Sequence, residues 1–382
     1  MRVNFDANAS IKPIPEVLEC LASYTGEFLN PSSVHHSGQA AKRVLDEARD
    51  ALVELLSLGK SDKIIFTSGA TEANNAALIP ISAATNSSVD LACSSVEHSA
   101  VLEFMRRQVG FGYKLKEFLP NEVEDTDLFS DLLNEDLRIF ALMAANNETG
   151  QIFNVKNVAQ AVRKISPRAR IHCDAVQAVG KIQVNFSELG VDTLALSGHK
   201  LGAISGVGAL VISENCHLEP WLFGGPQEFG LRAGTENVLA IKTLGIACKE
   251  AKKRLELANS RMLEAKETVI SYLKDLGDCA QINSFGKTQL NNTISVRFPG
   301  VKADDLVVAL DLCGVAISAG SACASGRPSP SHVLLSHGMT ATQAKETVRI
   351  SFEPNISSRD LEFGLFSLRE TLTRMISARK AA

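Results

Sequence analysis

The chain has no apolar run near the roughly 18 residues that a membrane-spanning helix needs, so no spanning segment is expected. It has little charge of either sign in excess. The 39 Lys and Arg against 43 Asp and Glu leave a formal net charge of −4, which gives no electrostatic ground for holding nucleic acid. None of its eight cysteines forms a Cys-x-x-Cys pair. Scattered thiols in a long chain read as free, mostly buried and kept reduced in the cytoplasm. The start, Met1-Arg2-Val3-Asn4-Phe5-Asp6, lacks a basic region followed by an apolar core, so no signal peptide is expected. Cys313, His332 and His337 lack a compact ligand spacing, which argues against zinc. There is no internal repeat and no low-complexity linker.

What remains is the profile of an enzyme-sized globular chain. Its 382 residues suit about two domains, and 45% hydrophobic with 21% charged residues is ordinary for such a protein. Short apolar runs at Lys63–Thr67, Asp90–Cys93, Lys114–Phe118, Arg138–Met143, Arg170–Asp174, Thr193–Leu196 and Gly208–Ile212 read as strands. Helical patterns at Glu72–Ile79, Ser99–Val109 and Val155–Ile165 lie between them. This alternation predicts an α/β fold with a mostly parallel, seven-stranded sheet covered on both faces. A long helix over about Val238–Leu276 then leads to a second pattern. Its strands are expected at Thr293–Phe298, Val315–Ser318 and Thr347–Phe352, with helices at Ala303–Cys313 and Ser358–Ser377. The expected division is a large domain over 15–255 and a smaller α+β domain formed by 1–14 and 256–382.

Candidate site residues fall at the carboxyl ends of the sheet strands, where ligands bind in such folds. Lys200 ends the run Ser197-Gly198-His199-Lys200, just past a strand. A lysine there suits a Schiff base with an aldehyde cofactor, pyridoxal phosphate. Thr67-Ser68-Gly69-Ala70-Thr71-Glu72 is a strand end, a small-residue turn and a helix start. Its backbone N–H groups and the Thr71 hydroxyl suit a phosphate. The same residues also suit a plain helix cap.

Asp174 closes a strand, and Ala175-Val176-Gln177 is expected to open a helix. Asp174 suits a partner for the pyridinium nitrogen and Gln177 one for the phenolic oxygen, with simple capping by Asp174 as the other reading. His98, before another helix, suits ring stacking and proton exchange, or a structural role. Asn146-Asn147-Glu148-Thr149-Gly150 is a polar turn at the same sheet edge. Cys323 sits in the breaker-rich stretch Ile317–Pro330, expected as an exposed loop in which a thiolate can reach a partner, with an incidental surface thiol as the other reading. Arg349, in the alternating strand Thr347–Phe352, suits a bidentate carboxylate clamp or a salt bridge.

With these residues in place, the chain resembles the NifS/IscS-type cysteine desulfurases of the class V aminotransferase group, fold-type I enzymes of pyridoxal phosphate. The shared markers run in order: Asn30-Pro31-Ser32-Ser33-Val34-His35, Thr67-Ser68-Gly69-Ala70-Thr71-Glu72, Asn146-Asn147-Glu148 and Asp174-Ala175-Val176-Gln177. They continue with Ser197-Gly198-His199-Lys200, Arg232-Ala233-Gly234-Thr235 and Gly320-Ser321-Ala322-Cys323.

The resemblance implies that Lys200 holds the cofactor and shuttles the substrate's α-proton. It places the phosphate on Ala70, Thr71, Ser197 and His199, with Thr235 reaching in from the second subunit of a homodimer. Asp174 pairs with the ring nitrogen, Gln177 meets the phenolic oxygen, and His98 stacks on the ring. Asn147, beside the cofactor, and Arg349 receive the substrate carboxylate. Cys323 takes sulfur from L-cysteine as a persulfide, leaving L-alanine, and passes it to an acceptor protein such as an iron–sulfur scaffold or to a thiolation pathway. A selenocysteine lyase or another class V aminotransferase is the alternative the resemblance leaves. Neither a nucleic-acid nor a membrane partner is implied.

Some positions depart from the family pattern. Asp6-Ala7-Asn8-Ala9-Ser10 stands where Asp-Asn-Asn-Ala-Thr-Thr is common. Leu201-Gly202-Ala203-Ile204-Ser205-Gly206 replaces Tyr-Gly-Pro-Lys-Gly, and Phe229 takes the place of a usual arginine. The chain also ends soon after its last expected helix, without the longer tail IscS-type enzymes use for their scaffold.

Overall fold

The computed structural model describes residues 2–26, 30–80, 90–125, 133–320 and 329–381. Its strands are β1 (Val3–Asn4), β2 (Lys63–Thr67), β3 (Leu91–Ser94), β4 (Leu115–Phe118), β5 (Ile139–Ala141) and β6 (Arg170–Asp174). They continue with β7 (Thr193–Ser197), β8 (Gly208–Ile212), β9 (Gln281–Asn283), β10 (Thr293–Arg297), β11 (Val315–Ala316) and β12 (Thr347–Ser351). The chain divides into two compact units. One comprises Met1–Ser10, Asn146–Ile152 and Glu256–Ala382; the other comprises Ile11–Ala145 and Phe153–Leu255.

The larger unit is built on a seven-stranded sheet in the order β2-β8-β7-β6-β5-β3-β4. β4, β3, β5, β6 and β7 pair in parallel, while β8 runs antiparallel to both β7 and β2. Six strands therefore point one way, and their carboxyl ends share one edge of the sheet. Every residue of β3, β6, β7 and β8 is buried. That is the condition of strands covered on both faces, and it explains their near-continuous apolar runs. The helix Val155–Ile165 buries Val155, Val158, Ala159 and Val162 as one stripe.

Two local readings differ from the sequence pattern. The first helix after β2 runs Ala70–Ala77, two residues earlier than the apolar period suggests. Gly69 occupies its N-cap and lets the helix begin at once after the strand. After β6 no helix opens at Ala175. Instead the backbone makes successive turns, with N–H groups of Ala178 and Val179 donating to the Ala175 carbonyl and that of Lys181 donating to Ala178. Gly180, at φ +78°, takes the left-handed conformation that ends the coil.

The smaller unit holds the antiparallel sheet β12-β10-β9 and the parallel pair β1-β11. Its core gathers Phe5, Phe298, Phe352, Leu306, Leu310, Ile350 and Leu368. Phe5 packs so closely on the helix Ser358–Ala381 that a Cβ on Gly364 would lie 2.4 Å from its ring. Among the described residues, no helix is long and apolar enough to cross a membrane.

Candidate active site

The carboxyl edge of the large sheet carries most of the residues singled out above. Lys200 closes a tight 3-10 turn, Gly198–Lys200, immediately after β7. The turn is pinned by Leu201 and Ala203 N–H groups on the Gly198 carbonyl, and the Ile11 N–H bonds the His199 carbonyl. Gly198 is obligatory there, because a Cβ would sit 2.8 Å from the Val207 side chain. Lys200 is half-buried.

Asp174 ends the neighbouring strand β6 and is 5% exposed. Both of its oxygens are aimed by the protein. Asn74 Nδ2 donates to Oδ2 at 2.7 Å, and the Val176 N–H donates to Oδ1 at 3.0 Å. Behind Asn74 stands His172, two residues before Asp174 on the same face of β6. Its Nε2 meets Asn74 Oδ1 at 2.9 Å, and its Nδ1 meets Thr193 Oγ1 at 2.9 Å. The amide oxygen only accepts, so Nε2 carries the proton and Thr193 donates to Nδ1. Burial, then the nearby Arg170 charge, lowers the His172 pKa to about 3, and the ring is neutral.

Glu97 is fully buried and accepts the Met143 N–H at 2.6 Å. Burial, followed by the charge of Asp174, raises its pKa well above its ordinary value. Asn74, His172 and Glu97 were not singled out from the sequence. The one available signal is spacing: His172 and Asp174 are two apart on a strand and so share a face.

The start of the helix Ala70–Ala77 forms a second cluster. Among the described residues, none accepts from the backbone N–H groups of Ala70 and Thr71. Thr71 is exposed, Ser197 is buried at the end of β7, and His199 is half-buried. Burial, then Lys200, lowers the His199 pKa to about 4, so this ring too is neutral. A Cβ placed on Gly69 would meet nothing within 4 Å, which leaves space in front of the helix start.

Glu72, in the first turn, would repel an anion were it not already engaged. Its Oε1 takes Trp221 and Arg232, and its Oε2 takes the Ser68 N–H. Burial opposes its ionisation, but these bonds prevail and hold its pKa down at about 2. Free N–H groups, hydroxyls and a helix dipole with its local carboxylate occupied form a donor set that fits a phosphate.

Gln177 is 5% exposed in the turn after Asp174. His98 caps the helix Ser99–Val109, its Nδ1 accepting the Ala100 N–H at 3.1 Å. Thr235 is exposed on the segment that follows the 3-10 turn Glu228–Gly230. That turn places Phe229 at φ 59°, 58% exposed, beside the Arg49 guanidinium.

Asn147 and Arg349 belong to the smaller unit, where they are brought together. Arg349 is 3% exposed on β12. Its guanidinium donates to the Asn147 carbonyl at 2.9 Å and to Asp6, while its buried Nε has no partner among the described residues. Asn8 Nδ2 donates to the same Asn147 carbonyl at 3.0 Å. Asp6, read from the sequence only as a departure in the opening motif, is thus the ion partner of Arg349. Cys323 lies outside the described residues.

The family described as "Aminotransferase class-V" matches residues 3–363. A protein named cysteine desulfurase from Bradyrhizobium diazoefficiens is 35% identical over 382 residues, covering 99% of this chain and 96% of the relative. A solved structure named "NIFS-LIKE PROTEIN" superposes with a TM-score of 0.87 at 32% identity, covering 98% of this chain and all of the other (100%). Another, described as "SspA in complex with cysteine", reaches a TM-score of 0.78 at 27% identity, covering 92% of this chain and 99% of that one.

Proposed function

The chain belongs to the class-V aminotransferase family, a group of pyridoxal phosphate enzymes, and we propose that it is a cysteine desulfurase that uses this cofactor. The observation that carries the reading is the placement of Asp174 at the end of β6 and of Lys200 in the turn just after the adjacent parallel strand β7, on the sheet edge that also carries a helix start fitted for phosphate. A Schiff-base amine, a fixed carboxylate and an anion cradle are the parts such a cofactor requires.

In this reading Lys200 Nζ holds the cofactor, and Ala70, Thr71, Ser197 and His199 hold its phosphate, with Thr235 supplied by the partner of a homodimer. The neutral His199 donates a hydrogen bond there without adding charge. Asp174 keeps the ring nitrogen protonated, and the bonds from Asn74 and Val176 stop it from turning away. Gln177 meets the phenolic oxygen, and His98 covers the ring. When bound, the cofactor supplies an electron sink that makes the substrate's α-proton acidic. Lys200 Nζ takes and returns that proton. Asn147 and Arg349 receive the substrate carboxylate.

The Cys323 thiolate then attacks the sulfur of L-cysteine. An S–S bond forms as the substrate's C–S bond breaks, and the carbon left behind gains a proton. L-cysteine and a Cys323 thiol thus become L-alanine and a Cys323 persulfide, with no external oxidant. The terminal sulfur is passed to an acceptor protein for iron–sulfur cluster assembly or thiolation.

The test supplies L-cysteine to the purified, cofactor-loaded protein and assays alanine and protein-bound persulfide together. Both are expected in equal early amounts. Cys323→Ala should abolish sulfide release while leaving the cofactor absorbance intact, and Lys200→Ala should lose the visible band. Full sulfide release by Cys323→Ala would overturn the assignment.

A further inference from the structure

Four residues beyond Gln177 the chain buries a second lysine. Lys181 is 9% exposed, and its Nζ donates to Gln177 Oε1 at 2.5 Å. The turn after β6 fixes this spacing: Lys181 and Ile182 N–H groups both donate to the Ala178 carbonyl, itself one turn on from Ala175. The turn is pressed against the residue that follows Lys200, since a Cβ on Gly180 would lie 2.5 Å from Leu201 Cδ2. Gln177 and Lys181 are therefore a built pair, with little room to separate.

A glutamine amide is nearly symmetric in shape and opposite in chemistry at its two ends. A lysine ammonium has three donors and no acceptor. Beside Lys181, only the oxygen of Gln177 is tolerated, because the flipped amide would set two buried donors against each other. The Gln177 NH2 is thereby committed to the side away from Lys181. We propose that Lys181 is a positioning residue: it selects the orientation of the Gln177 amide, so that an N–H, and not a carbonyl oxygen, faces the phenolic oxygen of the cofactor. This rests on the pyridoxal phosphate reading above.

The consequence is spectroscopic. A donor at the phenolic oxygen keeps that oxygen anionic and leaves the proton on the neighbouring Schiff-base nitrogen, the form that absorbs in the visible. A carbonyl oxygen at the same place draws the proton onto the phenol and favours the form that absorbs in the near ultraviolet. Lys181 therefore acts on the colour of the loaded protein through Gln177, without touching the cofactor.

The full-length protein, stripped of cofactor, is titrated with pyridoxal phosphate in five forms: wild type, Lys181→Met, Lys181→Arg, Gln177→Leu, and Gln177→Leu combined with Lys181→Met. Wild type is expected to develop the visible band. Lys181→Met should raise the cofactor dissociation constant about tenfold, the size of one charge-assisted hydrogen bond, and move intensity to the near ultraviolet. Lys181→Arg, which also only donates, should restore both. In the Gln177→Leu background, Lys181→Met should change the band no further.

If Lys181→Met fails to fold, Lys181→Gln replaces it. An amide accepts as readily as it donates, so this variant also loses the selection and should show both bands. A Lys181→Met protein with wild-type band and affinity, altered only in its cofactor-free thermal midpoint, overturns the inference while leaving the pyridoxal phosphate reading standing. A wild type that takes up no pyridoxal phosphate overturns that reading and the inference with it.

Discussion

At the scale of single residues, Asp174 is held by side chains that stand behind it. Asp174 was singled out from the sequence as a carboxylate at a strand end, read together with the lysine that follows the next strand. Asn74 and His172 were not, since a lone asparagine on a helix and a lone histidine on a strand have many uses. Yet Asn74 bridges the two, taking His172 Nε2–H on its oxygen and giving its N–H to Asp174. Asn74→Leu keeps the volume and removes both bonds. It leaves a buried imidazole N–H and a buried carboxylate oxygen unpartnered, at roughly 1–3 kcal/mol each. Urea unfolding of the cofactor-free protein should register a loss of about 2–5 kcal/mol, and cofactor affinity should fall as Asp174 gains freedom. A change of under about 0.5 kcal/mol would mean the bridge contributes nothing.

At the scale of elements, the inner strands β3, β6, β7 and β8 of the large sheet were readable because burial on both faces leaves almost no polar alternation to confuse the pattern. Helices on the sheet were readable from their stripe, as at Val155–Ile165. What failed was termination. The turn after β6 has the composition of a helix start, and only Gly180 at φ +78° marks where it stops. The turn after Lys200 poses the same question experimentally. Gly202 has φ +88° and a Cβ there would lie 2.5 Å from Ile14 Cγ2, whereas Gly206 has φ +89° and nothing within 4 Å. Alanine at Gly206 carries only backbone strain, about 1 kcal/mol. Alanine at Gly202 carries the same strain plus a buried clash and should cost about 2–4 kcal/mol. Thermal unfolding of the two variants separates the terms, and equal midpoints would show that Ile14 yields without cost.

At the scale of the whole molecule, buried titratable groups pull stability in opposite directions as pH changes. His172 has its pKa lowered from 6.5 to about 3, chiefly by burial. The unfolded chain therefore binds this proton before the folded one does. The stability it contributes is full above about pH 6.5 and is lost as pH falls toward 3. His199, lowered to about 4 by burial and by Lys200, acts in the same sense. Glu97 does the reverse. Its pKa is raised from 4.5 by burial and by Asp174, so its contribution is full below pH 4.5 and is lost as pH rises through the higher folded value. Between about pH 6.5 and 4.5 the two slopes oppose, each worth at most about 1.4 kcal/mol per pH unit. His172→Asn keeps an N–H for Asn74 and removes the first slope, so on acidification it should lose less stability than the parent. Glu97→Gln keeps the shape of the neutral acid and removes the second, so it should lose more. Unfolding of the cofactor-free proteins, followed stepwise from about pH 7.5 to about 4.5, should give lines that diverge from the parent in opposite directions. If the His172→Asn line runs parallel to the parent, the imidazole is not held neutral in the fold; if the Glu97→Gln line does, the acid beside Asp174 is not held protonated.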